Sequence, residues 1–420
     1  MTFTEDFNYT NKYGGKMLLT GVKGYDIMVK SGDGATIETD KGTFVDFWGD
    51  EGINSLGYGR LGDYVANYDI DGDLLHVPKM FREEAREELA GMLEHYSDIP
   101  GGVMFSNSGT EANEAAIKLV RHYYYYAMEQ HYRNKILTFR GNFHGRTGFS
   151  LAVSDSYGSG SSYHKEGFGP MADRFGVFED LEDLEARLEH DKTIAAVIMA
   201  TSLGNNVIEV YNQDFFNKLM ELRIQYGFKI ILDEVQVGAG RTGEFFCFQN
   251  YDHFNPDVVT VGKGLGTGLP LSATIFSKPI ADHIQGHPGI HFNTMGGNSL
   301  ACNMAIDLLT TLEHGLLEQV KESGDFIRKQ LRQLTFVDQV VGLGLHNAFS
   351  FKDIAGKKIN SIKFAEMAMD EGLLIVSHRE HGQIRFTPPL IVSINEIHTA
   401  IAALSRTFTN YCEKHLGIPR

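Results

Sequence analysis

The middle of the chain alternates short β-rich runs with helical patterns, and few architectures can absorb that order. Ile136–Phe139, Ala195–Ala200, Phe228–Leu232, Val258–Val261 and Ala273–Phe276 read as short strands. Between the second and third, Phe215, Leu219 and Leu222 fall on one helical face, with Gly227 as the expected stop. Another helix is expected from about Glu111 through Arg121 into Tyr123–Tyr126. Strands separated by helices in this way predict an α/β fold with a mainly parallel central sheet.

The flanks differ. Asp26 to Trp48 alternate like antiparallel strands around a Gly-rich turn at Ser31–Gly34, and the pattern turns helical from Leu300 through Leu331. This predicts a large central domain, residues 61–300. A smaller α+β unit would be built from both ends, residues 1–60 and, with an interdomain helix, 301–420. Ser154–Pro170, rich in Ser, Gly and Tyr, reads as a surface loop. The 420 residues suffice for two domains, and 42% hydrophobic residues supply a large core. Lys and Arg total 38 against 54 for Asp and Glu, a charge of −16 that argues against a nucleic-acid partner. The purest apolar stretch, Ile194–Ala200, is too short to span a bilayer, so no membrane partner is expected. Cys247, Cys302 and Cys412 have no paired spacing, and a reducing cytoplasm is the expected compartment.

Several motifs fail on context. Gly262, Gly264, Gly266 and Gly268 follow a strand, but Pro270 follows where a dinucleotide fingerprint needs a helix. His283, His287 and His291 have helical metal-ligand spacing, yet Gly286, Pro288 and Gly289 break such a helix, so no metal is expected. One constellation survives. Asp233-Glu234-Val235-Gln236 and Gly262-Lys263-Gly264 each follow a strand, at the sheet edge where ligand sites form. Schiff-base chemistry needs a Lys that can lose its proton, and an Asp can pair with a protonated pyridine nitrogen. A surface Lys and a capping Asp are the plain alternative. Ser108-Gly109-Thr110 opens an amphipathic helix whose first amides could receive an anion, or could simply be capped. Phe143 and His144 follow another strand, where Phe143 could cover a flat ligand or fill the core.

Taken together these residues resemble the class III, fold-type I aminotransferases that use pyridoxal phosphate (PLP), a group including ornithine, acetylornithine, diaminobutyrate and 4-aminobutyrate aminotransferases. The resemblance runs from about Ile27 to Leu390. It is carried by Ser108–Ala112, Phe143–Arg146, Asp233–Gln236, Gly240–Gly243, Gly262–Gly264 and Thr294–Asn298, in family order. It implies that Lys263 carries PLP, Asp233 holds the ring nitrogen protonated, and Gln236 bonds the ring hydroxyl. Phe143 and Val235 would cover the two ring faces, with His144 also at the cofactor. Ser108, Gly109 and Thr110 would cradle the phosphate. Thr294 would reach the phosphate of the other subunit, which implies a homodimer with shared active sites. Arg385 matches the family's carboxylate-binding arginine. Trp48 lies in a stretch that borders the substrate entrance. The implied activity moves an amino group, in the leading reading a terminal one, from an amino acid or diamine to a 2-oxo acid such as 2-oxoglutarate or pyruvate.

Two family glutamates are replaced, by Ala200 and Asn205. The second pairs with the carboxylate-binding arginine in several relatives, and Asn205 cannot neutralise Arg385. Arg385 is therefore expected to stay available to a substrate carboxylate throughout, or specificity is set elsewhere. Asp50 or Glu51 could attract a second ammonium. A racemase, epimerase or aminomutase would share the same cofactor motifs and differ in needing no amino acceptor. A non-catalytic regulator would have no reason to retain Lys263, Asp233 and Gln236 together.

Overall fold

The computed structural model describes residues 25, 27–66, 76–155, 165–203 and 207–418. Its central sheet runs in the order Gly101–Ser106, Ser272–Ser277, Val258–Val261, Lys229–Asp233, Ile194–Ala200, Lys135–Phe139, Phe175–Phe178. Ser272–Ser277 is antiparallel to both its neighbours, and the remaining pairings are parallel. Helices cover the sheet, which is why Ile194–Ala200 is buried almost throughout and reads as a continuous apolar run. The five expected strands are present to within a residue at each end. The two edge strands, Gly101–Ser106 and Phe175–Phe178, carry too little β-branched patterning to be read from sequence.

The helix Gln213–Tyr226 starts at Asn212, whose side chain accepts from the Phe215 amide, and stops at Gly227 with φ 68°. Its buried face is Phe216, Leu219 and Leu222; Phe215 instead stacks on Tyr211 at 4.5 Å. Gly109–His122 is helical and widens into a π turn at Tyr123–Ala127. That turn leaves Tyr123 and Tyr124 buried and Tyr125 and Tyr126 exposed.

Near the amino end, Val29–Asp33, Thr36–Thr39 and Gly42–Asp46 form an antiparallel meander. The expected turn at Ser31–Gly34 moves two residues on, because Ser31 and Gly32 still pair with Glu38 and Ile37. Gly34, with φ 56°, supplies the left-handed residue that a two-residue hairpin needs. Leu373–Leu374 adds to this sheet parallel to Gly42–Asp46, so both chain ends build one layer. Val337–Leu343, His346–Phe351 and Ile384–Phe386 form a separate sheet, and helices Ser299–Thr311 and Leu317–Gln333 meet at a bend near Gly315. Of the loop Ser154–Pro170, residues 156–164 lie outside the described residues. Among the described residues no helix is long and apolar enough to cross a membrane.

Candidate active site

Parallel strands deliver their following loops to one edge, and here that edge lines a cleft of about 1240 Å³. Ser108, Phe143, Asp233 and Lys263 all line it, each at or just beyond the end of a different strand. The charged residues among them are controlled by what surrounds them.

Asp233 ends its strand 6% exposed, inside a closed set of donors. Its Oδ2 accepts from Asn113 Nδ2 and from His144 Nδ1, both at 2.7 Å, and its Oδ1 accepts from the Val235 amide at 3.1 Å. His144 Nε2 lies 2.9 Å from Thr138 Oγ1, and Asn113 is fixed by Thr260 Oγ1 at 2.8 Å. With Thr138 donating to Nε2, Nδ1 carries the proton toward Asp233 and aims its carboxylate. His144 thus reaches the cofactor position through Asp233. Asn113 was not singled out from sequence, although a polar residue among the buried Ala112, Ala115 and Ala116 of one helix was a visible signal.

Lys263 opens a 3-10 turn with φ 44°. Burial pushes the pKa of its amine down, against the opposing pull of Glu51, Asp233 and Asp50, and a lowered pKa favours the neutral amine that attacks carbonyls. Glu234, wholly buried beside Asp233, has its pKa raised to about 7 by burial while accepting from Thr201 Oγ1, Cys247 N and Phe248 N.

The helix N-terminus at Ser108 carries a complete capping box. Ser108 Oγ accepts from the Glu111 amide, and Glu111 Oε2 accepts from the Asn107 and Ser108 amides. Helices leave their first amides without intrahelical partners, so Gly109 and Thr110 keep theirs for an anion. Whether the site can take PLP is tested by its small residues. A Cβ on Gly109 would lie 2.4 Å from Val235 Cγ1, and one on Gly145 would lie 2.3 Å from Thr110 Oγ1. The cradle is closed to any larger side chain, and an anion-binding turn, a paired Asp and a Lys meet around it. These residues fit PLP.

The rim differs from expectation. Arg385, 3% exposed, is not held open for a ligand: its Nη2 donates to Glu51 Oε1 at 2.6 Å and also contacts His378 Nε2. This overturns the expectation that the loss of the family glutamate leaves Arg385 uncommitted, because a carboxylate from the opposite end of the chain takes its place. Glu51 also accepts from Gln236 Nε2 at 2.7 Å and from Trp48 Nε1 at 3.4 Å. Burial alone would raise the Glu51 carboxyl, but His378, Arg385 and Lys263 together hold it well below the usual range. Glu51 already holds Arg385, Gln236 and His378 as partners, while the Asp50 carboxyl has its pKa raised by burial and by Glu51. Trp48 and Gln236 line the cleft. Thr294 is exposed and does not line the cleft of its own chain, and Asn205 lies outside the described residues. His378 sits in a loop with no sequence signal to find it.

Residues 20–408 match the family described as Aminotransferase class-III. The chain is 33% identical over 404 residues to an acetylornithine aminotransferase of Caldanaerobacter subterraneus subsp. tengcongensis, covering 93% of this chain and 97% of that protein. It is 34% identical over 382 residues to one of Aquifex aeolicus, covering 89% and 94%. Among solved structures, a Bacillus anthracis aminotransferase superposes with a TM-score of 0.84 at 26% identity, covering 94% of this chain and 96% of that one. A Toxoplasma gondii ornithine aminotransferase, described with partial occupancy of PLP at its active site, gives 0.82 at 25% identity, covering 93% and 92%. With the paired Asp233, the buried Lys263 and the closed glycine cradle already in place, these likenesses make the chain a member of the class III aminotransferases, an enzyme that uses PLP to transfer an amino group from an amine to an oxo acid.

Proposed function

We propose that the chain takes a terminal amino group from an amino acid or diamine and delivers it to a 2-oxo acid such as 2-oxoglutarate or pyruvate, as a cytoplasmic homodimer with shared active sites. One observation carries the reading: Lys263 and an Asp233 gripped by Asn113 and His144 follow neighbouring parallel strands and line one cleft. PLP, when bound, supplies the electron sink that makes a C–H bond beside nitrogen acidic.

The protein does the rest. The Gly109 and Thr110 amides with Ser108 would hold the phosphate, Phe143 and Val235 would flank the ring, and Gln236 would reach its hydroxyl. Asp233, aimed by Asn113, His144 and the Val235 amide, would pair with the protonated ring nitrogen. Lys263 Nζ, made less basic by burial, carries the proton at the reacting carbon. Arg385, paired here with Glu51, would orient a substrate carboxylate with its planar fork once that pair opens. The exposure of Thr294, away from the cleft of its own chain, supports its use by a second copy. The relatives named acetylornithine aminotransferase support a donor bearing both a terminal amine and a carboxylate. Three buried thiols without disulfides suit a reducing compartment.

The test is a panel of half-reactions. Holoenzyme is mixed with candidate amines without any oxo acid, and the cofactor absorbance is followed. Terminal amines should discharge it, and the oxo acid should restore it. Borohydride should fix the cofactor to wild type and not to Lys263→Ala. A wild type that binds no PLP, or that turns substrate over with no amino acceptor, overturns the reading.

A further inference from the structure

Asp46 ends the strand Gly42–Asp46 with 1% of its surface exposed and does not itself line the cleft. Its Oδ1 accepts from the Trp48 and Gly49 amides at 2.9 and 2.8 Å, and its Oδ2 accepts from the Tyr58 hydroxyl at 2.7 Å. We propose that Asp46 is a positioning residue for Lys263: by gripping two successive amides it fixes the turn that holds Trp48, Asp50 and Glu51 around the catalytic amine. This role rests on the aminotransferase reading and adds to it a residue that acts from behind the cleft wall.

A carboxylate that grips amides two and three residues on is a common turn device. Three features set this one apart. The first is its burial among neutral donors: among the described residues no Lys, Arg or His pairs with it, and an unpaired buried carboxylate is costly. Burial raises its pKa, opposed by the Gly49 amide, the Tyr58 hydroxyl and the Trp48 amide. Tyr58 is fixed in turn by reciprocal backbone hydrogen bonds with Gly34, at the hairpin of the amino-terminal meander. Asp46 thus ties the turn to a hydrogen-bonded sheet.

The second feature is the turn that Asp46 leads. Gly49, Asp50, Glu51 and Gly52 have φ of 59°, 45°, 66° and 84°, a left-handed turn closed by the Ile53 amide on the Gly49 carbonyl. Left-handed values at two successive non-glycine residues persist only where the surroundings impose them. Thr387 imposes from the far side: its carbonyl would stand 2.4 Å from a Cβ on Gly49, and its hydroxyl donates to the Trp48 carbonyl. Asp46 imposes from the near side.

The third feature is what the turn touches. A Cβ on Gly264 would lie 3.1 Å from the Gly52 carbonyl, so the residue after Lys263 packs on the end of the turn. Trp48, Asp50 and Glu51 line the cleft together with Lys263. Burial lowers the pKa of the Lys263 amine, and the Glu51 and Asp50 carboxylates oppose that effect. A turn released from Asp46 would carry both charges and the indole away from Lys263 together.

Trp48 is the single tryptophan of the chain, so the turn carries its own reporter. Asp46→Leu removes the acceptor at similar size, whereas Asp46→Asn removes the same charge but keeps an oxygen for the two amides. In PLP-loaded Asp46→Leu, the iodide quenching constant of Trp48 should rise at least ~2-fold as the turn opens. The pH midpoint of its cofactor absorbance should fall by ~0.5 unit or more, because two carboxylates no longer favour the charged form. Asp46→Asn should hold both readouts at wild-type values. Tyr58→Phe, which frees only Oδ2, should move both in the direction of Asp46→Leu by less, and it decides the matter if Asp46→Leu does not fold. Wild-type quenching and midpoint in the deciding variant overturn the role, even where stability is lost, since Asp46 would then serve the fold alone. An Asp46→Asn that behaves like Asp46→Leu overturns it too. A wild type without PLP overturns the functional reading, whereas Trp48 quenching then still tests the grip on the turn.

Discussion

His144 Nδ1 lies 2.7 Å from Asp233 Oδ2, and both side chains are buried. A hydrogen bond to an ionised group in such surroundings contributes about 1.5–3 kcal/mol. His144→Ala should therefore retain PLP but slow the amine half-reaction by roughly 10- to 100-fold, measured by stopped-flow absorbance. Unchanged half-reaction rates in a PLP-loaded variant would remove His144 from the chemistry.

Gly109 is defined by what stands next to it. A methyl there would press on Val235 Cγ1 at 2.4 Å, so either the helix start or Val235 must move. Gly109→Ala should weaken PLP binding by at least ~10-fold, since both elements contact the cofactor site. Gly91→Ala is the control: a Cβ there meets nothing within 4 Å, and PLP affinity should not change.

Arg241 is 2% exposed and donates to the carbonyls of Leu345, Pro388 and Gly52. It ties the residue 49–52 turn to two loops of the carboxyl-terminal part of the chain. Arg241→Ala strands those acceptors, and chemical denaturation should show a loss of about 3 kcal/mol or more. Arg241→Lys should recover only part of it, because an ammonium cannot reach three carbonyls from a planar fork.

His346 is fully enclosed, and burial, with some help from Arg385, Arg241 and Lys263, lowers its pKa to about 3. In the unfolded chain it takes a proton near 6.5. Between these values the unfolded state binds more protons, so stability falls as pH falls, by about 2 kcal/mol at pH 5 relative to neutral pH. His346→Leu should lack this share of the acid sensitivity. Parallel pH–stability curves for the two proteins would contradict the assignment.

How much of this was legible depends on whether the information is local. The central strands were, because a parallel strand covered on both faces must be apolar along its length, as Ile194–Ala200 is. That Asp233, Lys263 and Ser108 sit at the ligand edge was also legible, since each stands at or just after the end of such a strand; their roles came only from the resemblance of the joined motifs. The edge strands, whose composition is weak, were not. Nor was the role of His144, which depends on Thr138 and Asn113 approaching from two other elements.

Hydrophobic order along the chain thus determined by itself the layered α/β architecture and the edge at which chemistry collects. The tertiary structure alone decided the state of Arg385. Its partner Glu51 stands 334 residues away, is aimed by a left-handed turn that no periodicity announces, and meets Arg385 because the strand of Arg385 is tied to the amino-terminal part of the chain through the Thr387 amide on the Phe47 carbonyl. A contact between such distant residues is set by how elements pack, and packing is a property of the whole fold.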